Sequence, residues 1–219
     1  MLKTIVMILY LLLSGIHLYH SWKDDSKHRA MTKPFLLILL AVYYALAAQS
    51  VSWVLLLALL TSWLGDVLLI PKGHKWFTMG GISFMASHVL FIAVYVPSVE
   101  FASIPMALIA VMTVVYYGIS LMIIRAVKAT TPKPMVGPMY LYLLFNSTMN
   151  LFALMRLFTM HSAGSIVAYV GAVLFFISDC TLFLVRYYRD KDLIFKRHFT
   201  VMLTYLAGEM LIVLGILMN

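Results

Sequence analysis

Two aspartates stand inside apolar runs, where a carboxylate is costly. Asp66 lies in LLLALLTSWLGDVLLI and Asp179 in GAVLFFISDCTLFLV. An acid at the centre of a membrane helix costs about 2.5–3.5 kcal/mol on insertion scales, and such residues mark sites by default. Each has a small residue before it (Gly65, Ser178) and a leucine three positions later (Leu69, Leu182). Two acids close together in a low dielectric do not both ionise readily, so one stays neutral beside a charged partner. That is the division of labour of acid–base hydrolysis.

Other polar groups fall in the same stretches of chain. Tyr142, Asn146 and Asn150 stand at i, i+4 and i+8, one stripe of a helix. Tyr205 and Glu209 are four apart, with His198 on the same face. Phe77, Gly81, Phe84 and His88 make another face, and Gly80-Gly81 there permits close helix approach. Ser62 lies one turn before Asp66, Ser178 directly precedes Asp179, and Lys33 sits at the start of an apolar run. Taken singly, each has a plain reading. The asparagines bond between helices, His88 is a satisfied core histidine, and Lys33 snorkels to the interface.

No nucleophile elbow, phosphate loop or His-Glu-x-x-His motif occurs. A metal site is a weaker pattern, built on His17 and His20 at i, i+3 with His198. The single cysteine, Cys180, excludes an internal disulfide and reads as packing.

These residues must be positioned by membrane helices. Of 219 residues, 63% are hydrophobic, and mean hydropathy is +0.99, so the solvent is a bilayer. Eight apolar segments emerge: 2–22, 34–49, 51–70, 79–97, 104–124, 135–160, 165–188 and 198–218. Most have the length of a membrane-spanning helix. The expectation is an all-α bundle of eight transmembrane helices forming one integral membrane domain over residues 1–219. The first segment has the lysine and apolar run of a signal peptide without a small-x-small cleavage site, and reads as a retained span.

The net charge of +8 comes from cations in short loops, which indicates membrane orientation rather than nucleic acid. Lys23, Lys27, Arg29 and Lys33 fill the first loop, Lys72 and Lys75 the third, and Arg125, Lys128 and Lys133 the fifth. Arg186, Arg189, Lys191, Lys196 and Arg197 fill the seventh; only Lys3 and Arg156 fall elsewhere. The positive-inside rule then makes the odd loops cytoplasmic and both termini extracytoplasmic. At 1.5 Å per residue Asp66 lies roughly 6 Å inside its helix end, and Asp179 about 10 Å from Arg186. Lys33-Pro34 and Lys133-Pro134 each open a span, and small-Asp-x-x-Leu recurs in the third and seventh. Both offsets are four helices, compatible with a parallel 4+4 repeat.

The set Lys33-Pro34, Gly65-Asp66, Phe77-x-x-Gly80 through Phe84-x-x-x-His88, Gly171-Ala172-x-x-x-Phe176-x-Ser178-Asp179 and Tyr205 resembles the YhhN family of lysoplasmalogenases. The likeness runs from the second span to the eighth and rests on order and spacing together. At Glu209 the sequence departs from the family's pattern, where glutamine is more usual. The resemblance implies an eight-helix membrane hydrolase that cleaves the vinyl ether of lysoplasmalogen. The products are a fatty aldehyde and glycerophosphoethanolamine or glycerophosphocholine. It implies no metal or organic cofactor, a lysophospholipid partner in the bilayer, and catalysis by Asp66 and Asp179. Lys33, His88, Ser178 and Tyr205 are the supporting positions.

The chemistry suits two carboxyls. A vinyl ether resists base but cleaves once its β-carbon is protonated, and water captures the oxocarbenium ion. Asp179, deeper and flanked by Phe175, Phe176 and Phe183, reads as the proton donor, and Asp66 as the ionised partner. Lys33, Lys133 and Arg186 are candidates for pairing a headgroup phosphate. Three other readings compete: a proton-coupled transporter or channel, since intramembrane acids also carry protons, a zinc-dependent lipid amidase of alkaline-ceramidase type, and a structural or receptor-like bundle without turnover.

Overall fold

The computed structural model describes residues 1–190 and 192–219. Lys191, counted above among the seventh-loop cations, lies outside them. The described residues form eight α-helices and two short 3-10 turns, with no strand. The helices are α1 (Leu2–Trp22), α2 (Ser26–Ala47), α3 (Trp53–Leu68), α4 (His74–Tyr95), α5 (Met106–Val127), α6 (Lys133–Met160), α7 (Ala163–Tyr187) and α8 (Arg197–Leu217). Seven are long and apolar enough to cross a membrane. The protein is an all-α, multi-pass integral membrane protein. Its surface agrees, because leucine, isoleucine and valine are widely exposed along the helices. The most apolar span, α5, is among the least buried, and the least apolar, α6, is among the most. This inverts the order of a soluble core, as lipid contact requires.

Three helices depart from the expected bounds, and one of them, α4, starts at His74, five residues before the anticipated 79. α2 starts at Ser26, eight residues before the anticipated Pro34, so Lys33-Pro34 lies within a helix rather than at its start. The early start has a cap: Asp25 accepts from the His28 backbone N–H through Oδ1 (3.2 Å). α3 is shorter than expected and ends at Leu68, and the following loop carries Gly73 at φ +124°. That backbone conformation favours glycine. The 16 residues of α3 reach about 24 Å, short of the hydrocarbon thickness. By contrast Lys133-Pro134 does open α6, where the missing proline N–H has no helical partner to lose.

The chain separates into two compact units, Met1–Phe91 and Ile92–Asn219. In the first, α2 packs against α1 and α3. The middle of α4 is joined to α3 by hydroxyls: Ser83 donates to the Thr61 carbonyl (2.7 Å), Ser87 to the Ala58 carbonyl (3.0 Å), and Ser62 and Ser87 share a bond of 2.6 Å. These bonds satisfy polar groups that lipid would leave unpaired.

In the second unit α7 packs most extensively on α8, and α6 lies against α5 and α7. The α7–α8 contact is a small-residue seam. A Cβ at Gly171 would lie 2.6 Å from both the Gly208 carbonyl oxygen and the Ile212 nitrogen. One at Gly208 would lie 2.9 Å from the Gly171 oxygen. Only glycine lets the two backbones come this close. Hydroxyl pairs hold α5 in place: Ser120–Ser147 (2.9 Å) and Tyr117–Thr148 (2.8 Å) to α6, Tyr116–Tyr169 (2.9 Å) to α7.

Candidate active site

In the first unit Asp66 occupies the last turn of α3 and is 2% exposed. An anion there opposes the negative end of the helix dipole. Lys33 on α2 answers it, with Nζ 3.1 Å from Asp66 Oδ1. The neighbouring residues hold this pair in register. Trp63, one turn before Asp66, donates its indole N–H to the carbonyl of Pro34, the residue after Lys33 (2.7 Å). Gly65 is small for a local reason: a Cβ there would meet the Phe84 ring at 2.7 Å. His88 is fully buried on α4, one residue from Ser87 and its bonds to α3. Phe77 and Phe84 are buried, as their shared face requires, and Gly80 faces α3.

In the second unit Asp179 lies eight residues from the end of α7 and is 4% exposed. A carboxamide meets it: Asn146 on α6 donates to Asp179 Oδ2 (2.8 Å). Asn150, one turn on, donates to the Asn146 backbone carbonyl (3.0 Å) and to its Oδ1 (3.2 Å). Asn150 thereby orients the Asn146 amide with its nitrogen toward the carboxyl. Phe175, Phe176 and Phe183 are all buried beside this chain of bonds. Tyr142, the first of the expected stripe, packs edge-on against Phe183 with ring centroids 5.3 Å apart.

The remaining candidates have other attachments. Ser178 donates to the Val201 carbonyl on α8 (2.9 Å), so its hydroxyl ties two helices together. Tyr205 packs edge-on against Phe175, and Glu209, one turn further along α8, is fully buried. The depths along each helix differ more than the sequence suggested. Asp66 stands about 3 Å, and Asp179 about 12 Å, from the end of its own helix. The early end of α3 accounts for the change at Asp66.

Sequence reasoning missed the Trp63–Pro34 clamp and the Ser62–Ser87 pair. Trp63 and Ser62 stand three and four residues before Asp66, on its side of the helix, which is the one local signal for either. The metal grouping also differs from the one expected. His17 Nδ1 is bonded to Thr32 Oγ1 (2.7 Å). Among the described residues, the ligand atoms that converge are those of His20, Asp25 and His28.

The Lys33–Asp66 ion pair between α2 and α3 and the Asn150–Asn146–Asp179 chain between α6 and α7 are two buried polar arrangements at the acids. No curated protein and no solved structure matches the chain. A model of the YhhN family matches residues 28–216, a stretch that contains every residue of both arrangements. With nearly its whole length accounted for in this way, the chain belongs to the YhhN family, the lysoplasmalogenase family.

Proposed function

We propose that the protein hydrolyses the vinyl ether bond of a lysoplasmalogen within a cellular membrane. The family match over residues 28–216 carries this reading, and the two buried carboxyls supply groups suited to the chemistry. Asp179 gives a proton to the β-carbon of the alkenyl chain. The resulting oxocarbenium ion is captured at its α-carbon by water, whose proton passes to Asp66. The hemiacetal then collapses to fatty aldehyde and the glycerophospho-alcohol, and exchange with solvent restores the starting proton on Asp179 and the charge on Asp66. Atoms balance with one water consumed and no redox change.

The pairings support this assignment. Asp66 is ion-paired with Lys33 and takes the carboxylate role. Asp179 accepts from a neutral amide through Oδ2 and takes the acid role. The Lys33 ammonium is engaged with Asp66, so Lys33 acts as a positioning residue, and Lys133 or Arg186 pairs the headgroup phosphate. With the odd loops cytoplasmic, the lipid headgroup lies on that side.

The test is aldehyde release from an alkenyl lysophospholipid by purified protein in detergent, beside the Asp66→Asn and Asp179→Asn variants. Turnover by wild type and its loss in both variants supports the reading. No aldehyde from wild type, with proton-driven uptake after reconstitution, replaces it with transport.

A further inference from the structure

The turn between α1 and α2 gathers a donor set that the hydrolytic reading does not use. His20 lies in the last turn of α1, Asp25 caps α2, and His28 lies in the first turn of α2. Asp25 Oδ2 is 2.6 Å from His28 Nδ1 and 3.4 Å from His20 Nδ1, and all three ligand atoms fall within 4.8 Å of one another. The two imidazoles stack at 4.7 Å between centroids with planes 13° apart.

The backbone prepares this arrangement. Asp24 adopts a left-handed conformation (φ +56°), which aspartate tolerates better than most residues, and it pairs with Arg29 at 3.5 Å. The chain reverses there and returns Asp25 to the end of α1, where its N–H reaches the His20 carbonyl (2.9 Å). Asp25 divides its carboxylate: Oδ1 accepts from the His28 backbone N–H, and Oδ2 faces the two rings.

We propose that His20, Asp25 and His28 form a binding site for a divalent transition cation of the zinc class, clipping α1 to α2. Two imidazoles and one carboxylate are the donors such a cation takes in a three-ligand site, with further positions left to water. Bonds of about 2.0–2.1 Å in a tetrahedral site place neighbouring donors roughly 3.3 Å apart. The His20–Asp25 separation of 3.4 Å already fits, and His28 must move outward by less than about 1 Å. An imidazole lone pair lies in the ring plane, so one of the stacked rings must also turn about χ2. The His28 side chain is 52% exposed and has room for both movements.

The site is independent of the proposed hydrolysis, and its test reads binding rather than turnover. Full-length protein without a polyhistidine tag, stripped with chelator in detergent, is titrated with Zn²⁺ by calorimetry and with Co²⁺ by visible absorption. The expected result is one saturable Zn²⁺ per chain and cobalt bands of a nitrogen–oxygen site. His20→Ala, Asp25→Asn and His28→Ala each weaken Zn²⁺ binding at least about tenfold. Asp66→Asn retains it. Circular dichroism and gel filtration establish that each variant is folded. Absence of saturable binding, or Zn²⁺ affinity unchanged in folded His28→Ala, overturns the site and leaves the trio as a helix cap.

Discussion

Asp66 and Asp179 follow the same local pattern but are held in opposite ways. Each is met by a side chain from the preceding long helix: α2 supplies Lys33 to α3, and α6 supplies Asn146 to α7. The first partner is a cation and fixes the charge of what it touches. The second is a neutral amide, itself oriented by Asn150, and fixes direction without adding charge. The small residues before the aspartates differ as well. Gly65 makes room for the Phe84 ring, whereas Ser178 bonds a carbonyl on α8. One sequence pattern thus meets an ammonium in one unit and an amide in the other, and the proposed base and acid roles follow that difference.

The strongest way to break this comparison is to remove the carboxyls one at a time. Asp66→Asn and Asp179→Asn are each expected to lower aldehyde release about 10²–10⁴-fold. The wild-type pH profile should be a bell. Activity falls on the acid side as the carboxylate takes a proton, and on the alkaline side as the acid loses its own. In the residual activity Asp66→Asn should flatten the acid limb and Asp179→Asn the alkaline limb. If both variants alter the same limb, the two settings do not correspond to two roles.

Stability sharpens the contrast next. Lys33→Met leaves Asp66 buried without its cation, and breaking a buried pair costs about 3–5 kcal/mol. Asn146→Leu removes one interhelical hydrogen bond, worth about 1 kcal/mol in a membrane. Unfolding of the detergent-solubilised variants should rank them in that order. Adding Asp66→Asn to Lys33→Met should recover much of the loss, because no lone charge then remains. Equal losses at the two positions would mean that Lys33 and Asp66 are not a charged pair.

Much of this was legible in the chain. Helix number followed from apolar run length, and the buried face of α6 from the four-residue spacing of Tyr142, Asn146 and Asn150, all of which are buried. Helix ends were less legible. Lys33-Pro34 reads as a start because proline favours the first turn, yet the Asp25 cap starts α2 a full two turns earlier. The same helix start brings Asp25 and His28 to His20, and no spacing rule links residues across that turn. Nor could sequence distinguish an ammonium partner from an amide partner for the two aspartates, since this depends on which faces of adjoining helices meet.

The smallest expected effect separates the units by what their glycines touch. At Gly171 an added methyl meets backbone first: the Gly208 oxygen and Ile212 nitrogen, each at 2.6 Å. Neither can yield unless α7 and α8 move apart, and that would loosen the helix carrying Asp179. At Gly65 the methyl meets the Phe84 ring, 2.7 Å away, and a ring can turn or slide. Overpacking costs about 1–3 kcal/mol where the surroundings cannot adjust. Gly171→Ala should therefore destabilise by an amount in that range, and Gly65→Ala by less, in thermal unfolding of the detergent-solubilised protein. The activity ranking should agree, because separation of α7 from α8 disturbs Asp179 whereas a turned Phe84 leaves the Lys33–Asp66 pair intact. A larger loss at Gly65 than at Gly171 would mean that the ring under α3 is as immobile as the α7–α8 backbone, and that both carboxyls stand on equally rigid supports.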